Sequence, residues 1–435
     1  MKALLLLAGQ SKRFWPLKEK TLFPVLGKTL LEHQVERLQK GGVKEIVLVG
    51  GAHNLAPAKK IFPKLKLIEQ EDLTLGMRGA LLSALPKIGK GPVMIVSGND
   101  VIDPEGYKAL LKEAAKKGVD GAILAQQVES YFPGGYLTLK GNRIMGIVEK
   151  PGAGHEPSDL VNIVAHVHND SVKLLEMLRA TESQWDDAYE VAVHRLLLEK
   201  TYNAVRYQGN WQAVKFPWHL LPLLGMLLDG IQKPKIDKTA KIHKLACVEG
   251  PVIVEAGAKI LAHATVKGPA YIGKDAVIGT GALVRGSSIG DRCVIGFNSE
   301  IKSSALASDV WTHMTYIGDS VIGKNVSFGG GCITGNFRLD ETEISSRVGD
   351  TMLSTGLHKF GAVVGDDCRF GIQIGMNPGV KIGEGTFVAG GTFLTEDVPA
   401  SSFVRMKEGK VVVTENRTRA PGAEDRDALR HVLKK

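Results

Sequence analysis

The chain has 435 residues, 44% of them hydrophobic, which is long enough for two domains that each bury a core. Its formal net charge of +9 raises the question of a nucleic-acid partner. Lys and Arg are spread along the chain, however, only 6% of the residues are aromatic, and no basic run carries aromatic residues that could stack on bases. The composition therefore favours an anionic small molecule over nucleic acid as the partner.

The first apolar segment, residues 3–8, is too short for the core of a signal peptide and predicts a buried strand. No apolar run is long enough to span a bilayer, and the four cysteines are spaced neither as metal ligands nor as a redox pair. We therefore expect a cytoplasmic protein without a membrane partner.

Short apolar runs alternate with amphipathic segments throughout the first half. The runs at 2–7, 45–49, 92–96 and 121–124 predict strands, and the segments at 29–39, 76–85 and 104–117 predict helices. This alternation predicts a parallel sheet with helices on both faces, with ligands at the carboxyl ends of the strands. A last helix is predicted at 218–228, followed by a linker at 232–236.

The second half repeats with a period of six residues. The period fits neither an α-helix nor an ordinary strand, so it predicts a parallel β-helix, in which stacked coils bury a common core. The fifth place of the hexad is usually small, and three cysteines fall there, so we expect a structural role for Cys293, Cys332 and Cys368. The stretch 303–316 breaks the hexad and is predicted to leave the β-helix as a loop. The repeating residues are Ile242, Val248, Val254, Ile260, Val266, Ile272, Ile278, Val284, Ile289, Ile295, Ile301, Ile322, Phe328, Val364, Phe370, Met376, Ile382, Val388 and Leu394.

A loop with glycine and several cations follows the first predicted strand. Residues 8–17 read AGQSKRFWPL and residues 20–28 read KTLFPVLGK, and such a loop can offer backbone N–H groups and positive charge to a triphosphate. After it come, in order, Gln70, residues 75–81 (LGMRGAL), residues 97–101 (SGNDV), Gly135-Tyr136, Glu149-Lys150-Pro151, Asn162 and Trp211.

This series resembles the sugar-1-phosphate nucleotidyltransferases. The second half resembles the acetyltransferase domain of the bifunctional N-acetylglucosamine-1-phosphate uridylyltransferases and glucosamine-1-phosphate acetyltransferases, and above all their archaeal-type fused relatives. Its most specific blocks are residues 297–302 (FNSEIK), 313–320 (HMTYIGDS) and 328–336 (FGGGCITGN). The resemblance covers about residues 2–400.

The resemblance implies an α/β protein of two domains. Residues 1–231 would form a Rossmann-like (GT-A-like) nucleotidyltransferase domain, residues 232–404 a left-handed β-helix of hexapeptide repeats with acyltransferase activity, and residues 405–435 a C-terminal tail. Proteins of this family assemble as trimers, with acyl sites between neighbouring subunits, so a homotrimer is implied.

For the first half, the resemblance implies that a hexose 1-phosphate attacks the α-phosphorus of UTP or dTTP and releases pyrophosphate. Arg13 and Lys20 match cations that offset phosphate charge, and Asp100 matches the aspartate that holds Mg²⁺. The implied nucleotide contacts are Ala8, Gly9, Gln70 and Gly76, and the implied sugar contacts are Gly135, Glu149, Lys150 and Asn162.

The first half also departs from the family pattern. Ser11 and Lys12 replace the second glycine and the threonine of G-x-G-T-R, and Met77 and Arg78 replace the threonine and alanine of G-T-A. Ala213 stands where the family commonly places a second metal-binding acid, and alanine cannot bind Mg²⁺. Two interpretations stay open: Lys12 and Arg78 compensate with positive charge, or the site has changed its nucleotide or lost turnover.

For the second half, the resemblance makes His313 the general base that takes a proton from a sugar amine, with acetyl-CoA as the acyl donor. Ser327 replaces one asparagine of the family pattern N-V-N-x-G. The basic segment 417–435 is a further candidate contact for the phosphates of acetyl-CoA. The implied sugar-phosphate contacts are Arg285, Lys302, Tyr316, Asn336 and Lys359, and the implied contacts of the thioester arm are Ala389 and Gly390.

The sequence thus predicts an enzyme of sugar-nucleotide biosynthesis with two activities. Two alternatives stay open: only one activity survives, acetyl transfer before the other, or the protein is a non-catalytic sugar-nucleotide sensor or scaffold. The base, the sugar epimer and the acyl group are not determined by the sequence.

Overall fold

The computed structural model describes residues 1–7, 9, 11–184 and 187–426. The chain divides into two compact units, Met1–Gln10 with Leu31–Ala213, and Ser11–Leu30 with Val214–Lys435. We call these the first unit and the second unit. The domain boundaries at residues 231 and 404, which come from sequence pattern and resemblance, stay a prediction.

Seven α-helices occur in the described residues. They are α1 (Leu30–Lys40), α2 (Ala52–Ile61), α3 (Gly76–Ile88), α4 (Pro104–Ala114), α5 (Ser171–Arg179), α6 (Ala188–Glu199) and α7 (Leu220–Asp229). The predicted helices at 29–39, 76–85, 104–117 and 218–228 correspond to α1, α3, α4 and α7, while α2, α5 and α6 were not predicted. Among these helices, no segment is long and apolar enough to cross a membrane.

The strands of the first half all precede α7. They are β1 (Lys2–Leu6), β2 (Pro24–Val25), β3 (Lys28–Thr29), β4 (Glu45–Gly50), β5 (Lys66–Glu69), β6 (Val93–Ser97), β7 (Asp100–Ile102), β8 (Gly121–Gln127), β9 (Gly135–Lys140), β10 (Arg143–Glu149), β11 (Leu160–His168), β12 (Tyr202–Tyr207) and β13 (Trp211–Ala213). The four predicted strands are confirmed as β1, β4, β6 and β8.

One nine-stranded sheet organises the first unit, in the order β5-β4-β1-β6-β11-β8-β12-β10-β9. β1 pairs in parallel with β4 and β6, and its middle residues are fully buried, as the apolar run predicts. The sheet is mixed rather than purely parallel, because β11 runs antiparallel to both β6 and β8.

The second unit contains a three-sided left-handed parallel β-helix, as predicted. We call its sides the first face (β14-β17-β20-β23-β26-β29-β34-β37), the second face (β15-β18-β21-β24-β27-β30-β35-β38-β40-β41) and the third face (β16-β19-β22-β25-β28-β31-β36-β39). The strands are β14 (Lys235–Ile236), β15 (Lys241–Ile242), β16 (Cys247–Glu249), β17 (Val252–Val254), β18 (Lys259–Ile260), β19 (Thr265–Lys267), β20 (Ala270–Ile272), β21 (Val277–Ile278), β22 (Leu283–Arg285), β23 (Ser288–Ile289), β24 (Val294–Ile295), β25 (Glu300–Lys302), β26 (Ala305–Leu306), β27 (Trp311–Thr312), β28 (Tyr316–Gly318), β29 (Val321–Ile322), β30 (Ser327–Phe328), β31 (Ile333–Thr334), β32 (Ile344–Val348), β33 (Thr351–Leu357), β34 (Val363–Val364), β35 (Arg369–Phe370), β36 (Gly375–Met376), β37 (Lys381–Ile382), β38 (Phe387–Val388), β39 (Phe393–Leu394), β40 (Ser402–Lys407) and β41 (Lys410–Glu415).

The hexad residues from Val254 onward are buried in the core of the β-helix. Cys293, Cys332 and Cys368 are buried there as well, which supports their structural role, whereas Cys247 is exposed. The β-helix begins inside the predicted linker, because Lys235 and Ile236 already pair with β17.

The prediction that residues 303–316 leave the β-helix is wrong. β26 and β27 lie in this stretch and pair in register with the coils before and after them. The hexad is interrupted because Thr312 takes a fully buried place that an aliphatic residue fills elsewhere. Its hydroxyl lies 3.2 Å from the Ser299 hydroxyl and 3.2 Å from the Gly296 N–H, so the polar atom is satisfied inside the coil.

Two hairpins depart from the regular coils. The antiparallel pair β32–β33 projects from the long gap in the hexad between Phe328 and Val364. The antiparallel pair β40–β41 ends the second face, so residues 405–415, predicted as a tail, are largely strand.

The segment Ser11–Leu30 packs on the first face of the β-helix. The Leu26 N–H donates to the Ser288 hydroxyl (2.9 Å), and Lys18 forms an ion pair with Glu384 (2.6 Å). The Lys381 ammonium lies 5.1 Å from the centre of the Trp15 ring. α7 packs on the same face against β26, so this side of the β-helix is covered by its own chain.

Candidate functional site

Asp100, the predicted metal ligand, lies beside Ala213, the position where the family commonly carries a second acid. β7 and β13 are antiparallel, and Asp100 pairs directly with Ala213 in their register. Asp100 is nearly buried, and its Oδ1 accepts a hydrogen bond from the indole N–H of Trp211 (2.8 Å). The rings of Trp211 and Phe132 are in tilted contact, with ring centres 4.9 Å apart. Directly opposed residues have Cβ atoms about 4.5–5.5 Å apart, so an acid at position 213 would sit next to Asp100.

The predicted nucleotide contacts of the first unit are placed only in part. Gln70 is buried, and its amide nitrogen donates to the carbonyls of Asp72 (2.7 Å) and Gly76 (2.9 Å). Its amide oxygen has no hydrogen-bond partner within the described ranges. Gly76 begins α3 at φ +52° and ψ −137°, a conformation that requires glycine. Gly9 is exposed, and Ala8 lies outside the described residues.

The predicted sugar contacts form a small polar cradle around Gly135. Gly135 pairs with Glu149 across β9 and β10. A methyl group added to Gly135 would lie 3.0 Å from Glu149 Oε2 and 3.5 Å from Asn162 Nδ2, so an acceptor and a donor converge where the glycine leaves space. Lys150 is exposed, and its ammonium lies 3.2 Å from Glu149 Oε1. All four predicted sugar residues are thus brought together.

Behind the cradle lies a buried polar chain that the sequence analysis missed. The imidazole of His166 contacts the Asn162 amide, and the hydroxyl of Tyr189 joins His166 to His168. The chain ends at Tyr202. Burial is the main reason that the pKa of His166 lies well below its usual value and that the pKa of His168 is lowered to about 3. Both imidazoles are therefore neutral at physiological pH.

The two cations predicted to face the triphosphate belong to the second unit. Lys20 is buried at the start of a 3₁₀ turn, and the preceding Glu19 accepts hydrogen bonds from the Thr21 N–H (3.2 Å) and hydroxyl (2.9 Å). Arg13 is exposed, with its guanidinium carbon 5.8 Å from the centre of the Phe216 ring.

The residues that depart from the family pattern have local structural roles. Ser11 adopts φ +49° and ψ +20°, and its hydroxyl donates to Glu19 (3.2 Å), so a non-glycine residue is held in the left-handed region. Arg78 donates from Nε to the Leu178 carbonyl at the end of α5 (2.8 Å), and Met77 packs on the core. The guanidinium of Arg78 therefore stabilises the packing of α3 on α5.

Three predicted residues of the acyl site meet on the third face. Asn336 donates from Nδ2 to the Tyr316 hydroxyl (3.1 Å) and to Asp319 Oδ2 (2.5 Å). The Lys302 ammonium donates to the same carboxylate oxygen at 2.9 Å. Asp319, which the sequence analysis did not single out although it lies in the block 313–320, is thus the centre of the cluster.

The other predicted phosphate cations lie beside this cluster. Arg285 stacks directly below Lys302 in the register of β22 and β25, and its guanidinium donates to Glu300 at 2.6 and 2.9 Å. Lys359 is exposed, with its ammonium 5.9 Å from the centre of the Phe337 ring.

His313 lies at the turn between the second and third faces. Its side chain is exposed at the junction of β27 and β28. Ala389 and Gly390 lie at the equivalent turn three coils further along, a rise of about 14 Å at about 4.8 Å per coil. The turns between them carry Gly330 and Gly371, and the exposed side chain of Ile372 lies beside Gly390.

Ser327 is occupied by the C-terminal segment. Arg426 donates from Nη2 to the Ser327 hydroxyl (2.7 Å) and from Nη1 to Asn325 Oδ1 (3.0 Å), and its guanidinium lies 4.3 Å from the centre of the Trp311 ring. The Pro421 carbonyl accepts from Asn325 as well (2.9 Å). The part of the basic segment up to residue 426 therefore lies on the second face, and residues 427–435 lie outside the described chain.

The comparisons with known proteins cover both halves. Residues 2–214 match the model of the nucleotidyl transferase family. A bifunctional sugar-1-phosphate nucleotidylyltransferase/acetyltransferase of Sulfurisphaera tokodaii is 28% identical over 413 residues, which cover 93% of this chain and 100% of the relative. A crystal structure of apo UDP-glucose pyrophosphorylase matches with a TM-score of 0.43 at 19% identity, covering 50% of this chain and 94% of its own.

The bifunctional protein GlmU of Methanococcus aeolicus is 30% identical over 426 residues, which cover 96% of this chain and 100% of the relative. The match thus spans the nucleotidyltransferase half and the β-helix together. The chain belongs to the family of bifunctional GlmU proteins, enzymes of sugar-nucleotide synthesis that join a nucleotidyltransferase to an acetyltransferase.

Proposed function

We propose that the protein catalyses two reactions. In the first, UTP or dTTP reacts with a hexose 1-phosphate in the presence of Mg²⁺ and releases pyrophosphate. In the second, acetyl-CoA acetylates the amine of glucosamine 1-phosphate. The observation that carries the proposal is the cradle at Gly135, where Glu149 Oε2 and Asn162 Nδ2 converge on a position without a side chain. An acceptor beside a donor suits a sugar hydroxyl, which can donate to the first and accept from the second.

The nucleotidyl reaction requires charge neutralisation and positioning. A phosphate oxygen of the sugar phosphate attacks the α-phosphorus, the bond from that phosphorus to the bridging oxygen breaks, and pyrophosphate leaves with the electron pair. Arg13 and Lys20 would offset the charge of the triphosphate. Gln70 would read the base, since its buried amide oxygen, which lacks a partner among the described residues, can accept the N3–H that uracil and thymine carry.

The donor set fits Mg²⁺ with a single carboxylate. Among the described residues, no cluster of three or more His, Cys, Asp or Glu could hold a metal by itself. Mg²⁺ is commonly bound by one or two carboxylates together with substrate phosphates and water. Asp100 would supply that carboxylate, and Trp211 holds its orientation. When bound, the ion would offset charge on the phosphates.

The acetyl reaction requires a base near the amine. His313 would take the proton as the amine nitrogen attacks the thioester carbonyl, and the carbon–sulfur bond breaks with release of coenzyme A. The cluster of Lys302, Tyr316 and Asn336 would hold the sugar phosphate. Because Lys302 and Arg285 already pair with carboxylates, Lys359 would contribute most of the positive charge that a phosphate gains. The glycine-lined corner from His313 to Gly390 would carry the thioester arm.

A homotrimer is part of the proposal. The third face and the turns leading into it expose apolar side chains, between 37% and 61% exposed in the single chain. Such a stripe calls for a partner surface, and the segment Ser11–Leu30 already covers the first face. The stripe consists of Leu245, Leu261, Phe297, Met314, Ile333, Ile372 and Phe393. The proposal also places the enzyme in a reducing cytoplasm, which its four free thiols support.

A second candidate function is acetyl transfer alone. The observation that favours it is Ala213, which pairs with Asp100 at the position where the family commonly carries an acid. In that case, the first unit would bind a sugar nucleotide without turnover, and a pure sensor or scaffold would lack the acetyl activity too.

One product assay separates these functions. The enzyme is incubated with each nucleoside triphosphate, glucosamine 1-phosphate or its N-acetyl form, Mg²⁺ and acetyl-CoA, and the products are identified by mass spectrometry. We expect a UDP- or dTDP-sugar and an acetylated amine. Acetylation without formation of a nucleotide sugar would favour the second candidate. The absence of both products would exclude both enzymatic functions.

A further inference from the structure

A buried chain of hydrogen bonds runs from the core of the first unit to the Asn162 amide. Tyr202 Oη lies 2.7 Å from His168 Nδ1, and His168 Nε2 lies 3.1 Å from Tyr189 Oη. Tyr189 Oη lies 2.7 Å from His166 Nδ1, and His166 Nε2 lies 2.6 Å from Asn162 Oδ1. The two histidines and Tyr189 are almost completely inaccessible to solvent. The chain leads to the sugar cradle, and His166 also forms a backbone hydrogen bond with Ile163.

The direction of the hydrogen bonds follows from the number of available protons. Each hydroxyl and each neutral imidazole can donate one proton, so the bonds must all run one way along the chain. If they ran from Asn162 towards Tyr202, the buried Tyr202 hydroxyl would have no acceptor in the described structure, where His168 is its sole hydrogen-bond partner. Running from Tyr202 towards Asn162, every proton has an acceptor. Buried donors are rarely left unsatisfied, so the second direction is favoured.

This direction fixes both imidazole tautomers. Tyr202 donates to Nδ1 of His168, whose Nε2–H donates to Tyr189. Tyr189 then donates to Nδ1 of His166, whose Nε2–H donates to Asn162 Oδ1. Burial lowers the pKa of both histidines below the usual value, so both imidazoles are neutral, as this arrangement requires.

The end of the chain decides which atom Asn162 presents to the cradle. With Oδ1 held by His166, Nδ2 points towards Gly135 and Glu149. A reversed amide would place its oxygen beside Glu149 Oε2, so that two acceptors would face each other and a hydroxyl could not bridge them. The tautomer of His166, which lies outside the cradle, therefore determines whether Asn162 presents a donor or an acceptor to the sugar.

We propose that His166 and Tyr189 are positioning residues, which fix the Asn162 amide with its nitrogen towards the hexose 1-phosphate. This inference rests on the proposed nucleotidyl function, in which Asn162 holds the sugar. Neither residue contacts the substrate. His166 sets the amide orientation, and Tyr189 sets the His166 tautomer.

The first test reads the tautomers in the full-length protein without any substrate. Nitrogen-15 chemical shifts of the imidazoles distinguish the two neutral forms. We expect protonated Nε2 and unprotonated Nδ1 in both His166 and His168, unchanged between about pH 6 and 8. A His166 protonated on Nδ1 would overturn the proposal, because the amide of Asn162 would then be reversed. This reading does not depend on turnover, so it stands apart from any failure of the proposed function.

The second test separates positioning from a merely structural role. His166→Phe keeps an aromatic ring but frees the Asn162 amide, and Tyr189→Phe removes the donor that fixes the tautomer. We expect the KM for the hexose 1-phosphate to rise about tenfold in His166→Phe and less in Tyr189→Phe, with the KM for the nucleotide within twofold of wild type. Tyr107→Phe, which removes a buried hydroxyl of the first unit that makes no hydrogen bond among the described residues, is the matched control and should keep both constants near wild type.

Thermal melting checks that each variant is folded. A general loss of packing would raise both KM values together, or would affect Tyr107→Phe as strongly as His166→Phe, and either outcome would overturn the positioning role. If wild type has no turnover, the same variants are compared by calorimetric binding of UDP-N-acetylglucosamine. Binding that weakens in His166→Phe alone supports the proposal, while wild-type binding in that variant, or no binding in wild type, overturns it.

Discussion

Ala213 and Asp100 are directly opposed residues in the antiparallel pairing of β13 with β7. The position of the missing acid is thus close enough to Asp100 for two carboxylates to share one cation. The backbone pairing would therefore accommodate a two-carboxylate site, of which only Asp100 carries an acid in this chain.

Ala213→Asp should increase Mg²⁺-dependent pyrophosphate release and lower the Mg²⁺ concentration needed for half-maximal rate. The added carboxylate would lie on the same side as Asp100 and supply a second ligand. Gln212→Asp is the matched control, because the neighbouring side chain of a strand points to the opposite side. Enzyme-coupled pyrophosphate detection measures both, and equal gains in the two variants would contradict a specific metal site.

Asp100→Asn should lower the rate of nucleotidyl transfer by about 10²-fold or more. The amide removes the negative charge that would hold the cation, and Ala213 offers no substitute. Circular dichroism and the acetyl transfer rate serve as controls for folding. A variant with wild-type nucleotidyl activity would exclude Asp100 as the metal ligand.

Gly135→Ala should fill the sugar cradle with a single methyl group. The new carbon would lie 3.0 Å from both Glu149 Oε2 and Ile147 Cγ2, which leaves no space for a hydroxyl. We expect the KM for the hexose 1-phosphate to rise about tenfold or more, with the KM for the nucleotide unchanged, since the change blocks only the sugar contact. Gly141→Ala is the control for a general effect of alanine on the β9–β10 hairpin. Gly141 lies in the turn of this hairpin with a positive φ, and a methyl group added there would contact no other atom. Unchanged sugar kinetics in Gly135→Ala would contradict the site.

The periodic parts of this fold could be predicted from the sequence, and the exceptions have physical causes. The hexad predicted the β-helix because each coil repeats the same burial. Thr312 misled the prediction, since a buried hydroxyl satisfied by Ser299 is indistinguishable in sequence from an exposed polar residue. The packing of the segment Ser11–Leu30 on the β-helix depends on contacts such as Leu26 with Ser288, 262 residues apart, which no local pattern reveals.

The candidate sites show the same division. Asp100 and Asn162 lie in motifs whose order carries the resemblance, so they could be identified. Asp319 lies inside the block 313–320 but was not identified as a site residue. An acidic side chain in a block shared with cationic and amide partners was the available signal, since a buried carboxylate usually binds such groups. His166 and Tyr189 are 23 residues apart on a strand and a helix, so their hydrogen bond could not be predicted without the fold.

His313→Ala should lower acetyl transfer from acetyl-CoA to glucosamine 1-phosphate by about 10²- to 10⁴-fold, because the attacking amine loses its proton acceptor. Nucleotidyl transfer should stay at the wild-type rate, since His313 is not among the residues proposed for that reaction. His243→Ala, at an equivalent turn near the start of the β-helix, is the matched control and should leave both rates unchanged. Acetyl transfer within twofold of wild type in His313→Ala would exclude this residue as the base.

Phe393→Glu combined with Ile333→Glu should convert the proposed trimer into monomers. Both side chains are exposed on the third face in the single chain, and charges there would lie within the subunit contact. Sedimentation velocity at micromolar concentration measures the change. Leu198→Glu, an exposed position on α6, is the control and should remain trimeric. A monomeric wild type would contradict the assembly, and a trimeric double variant would contradict this choice of face.

Acid should destabilise the first unit through His166 and His168. Burial lowers the pKa of His168 to about 3 and holds that of His166 well below its usual value, while both return to about 6.5 in the unfolded chain. Above about pH 6.5 both states leave these imidazoles neutral. As the pH falls from there towards 3, the unfolded state binds up to two more protons than the folded state.

The free energy of unfolding should therefore fall with decreasing pH, by up to about 1.4 kcal/mol per pH unit for each histidine below pH 6. Urea unfolding followed between pH 4.5 and 7.5 measures the slope. In His168→Phe the slope should lose the contribution of one proton, whatever the variant's overall stability. His243→Ala removes an exposed histidine of the β-helix and should keep the wild-type slope. An unchanged slope in His168→Phe would contradict a neutral buried imidazole at this position.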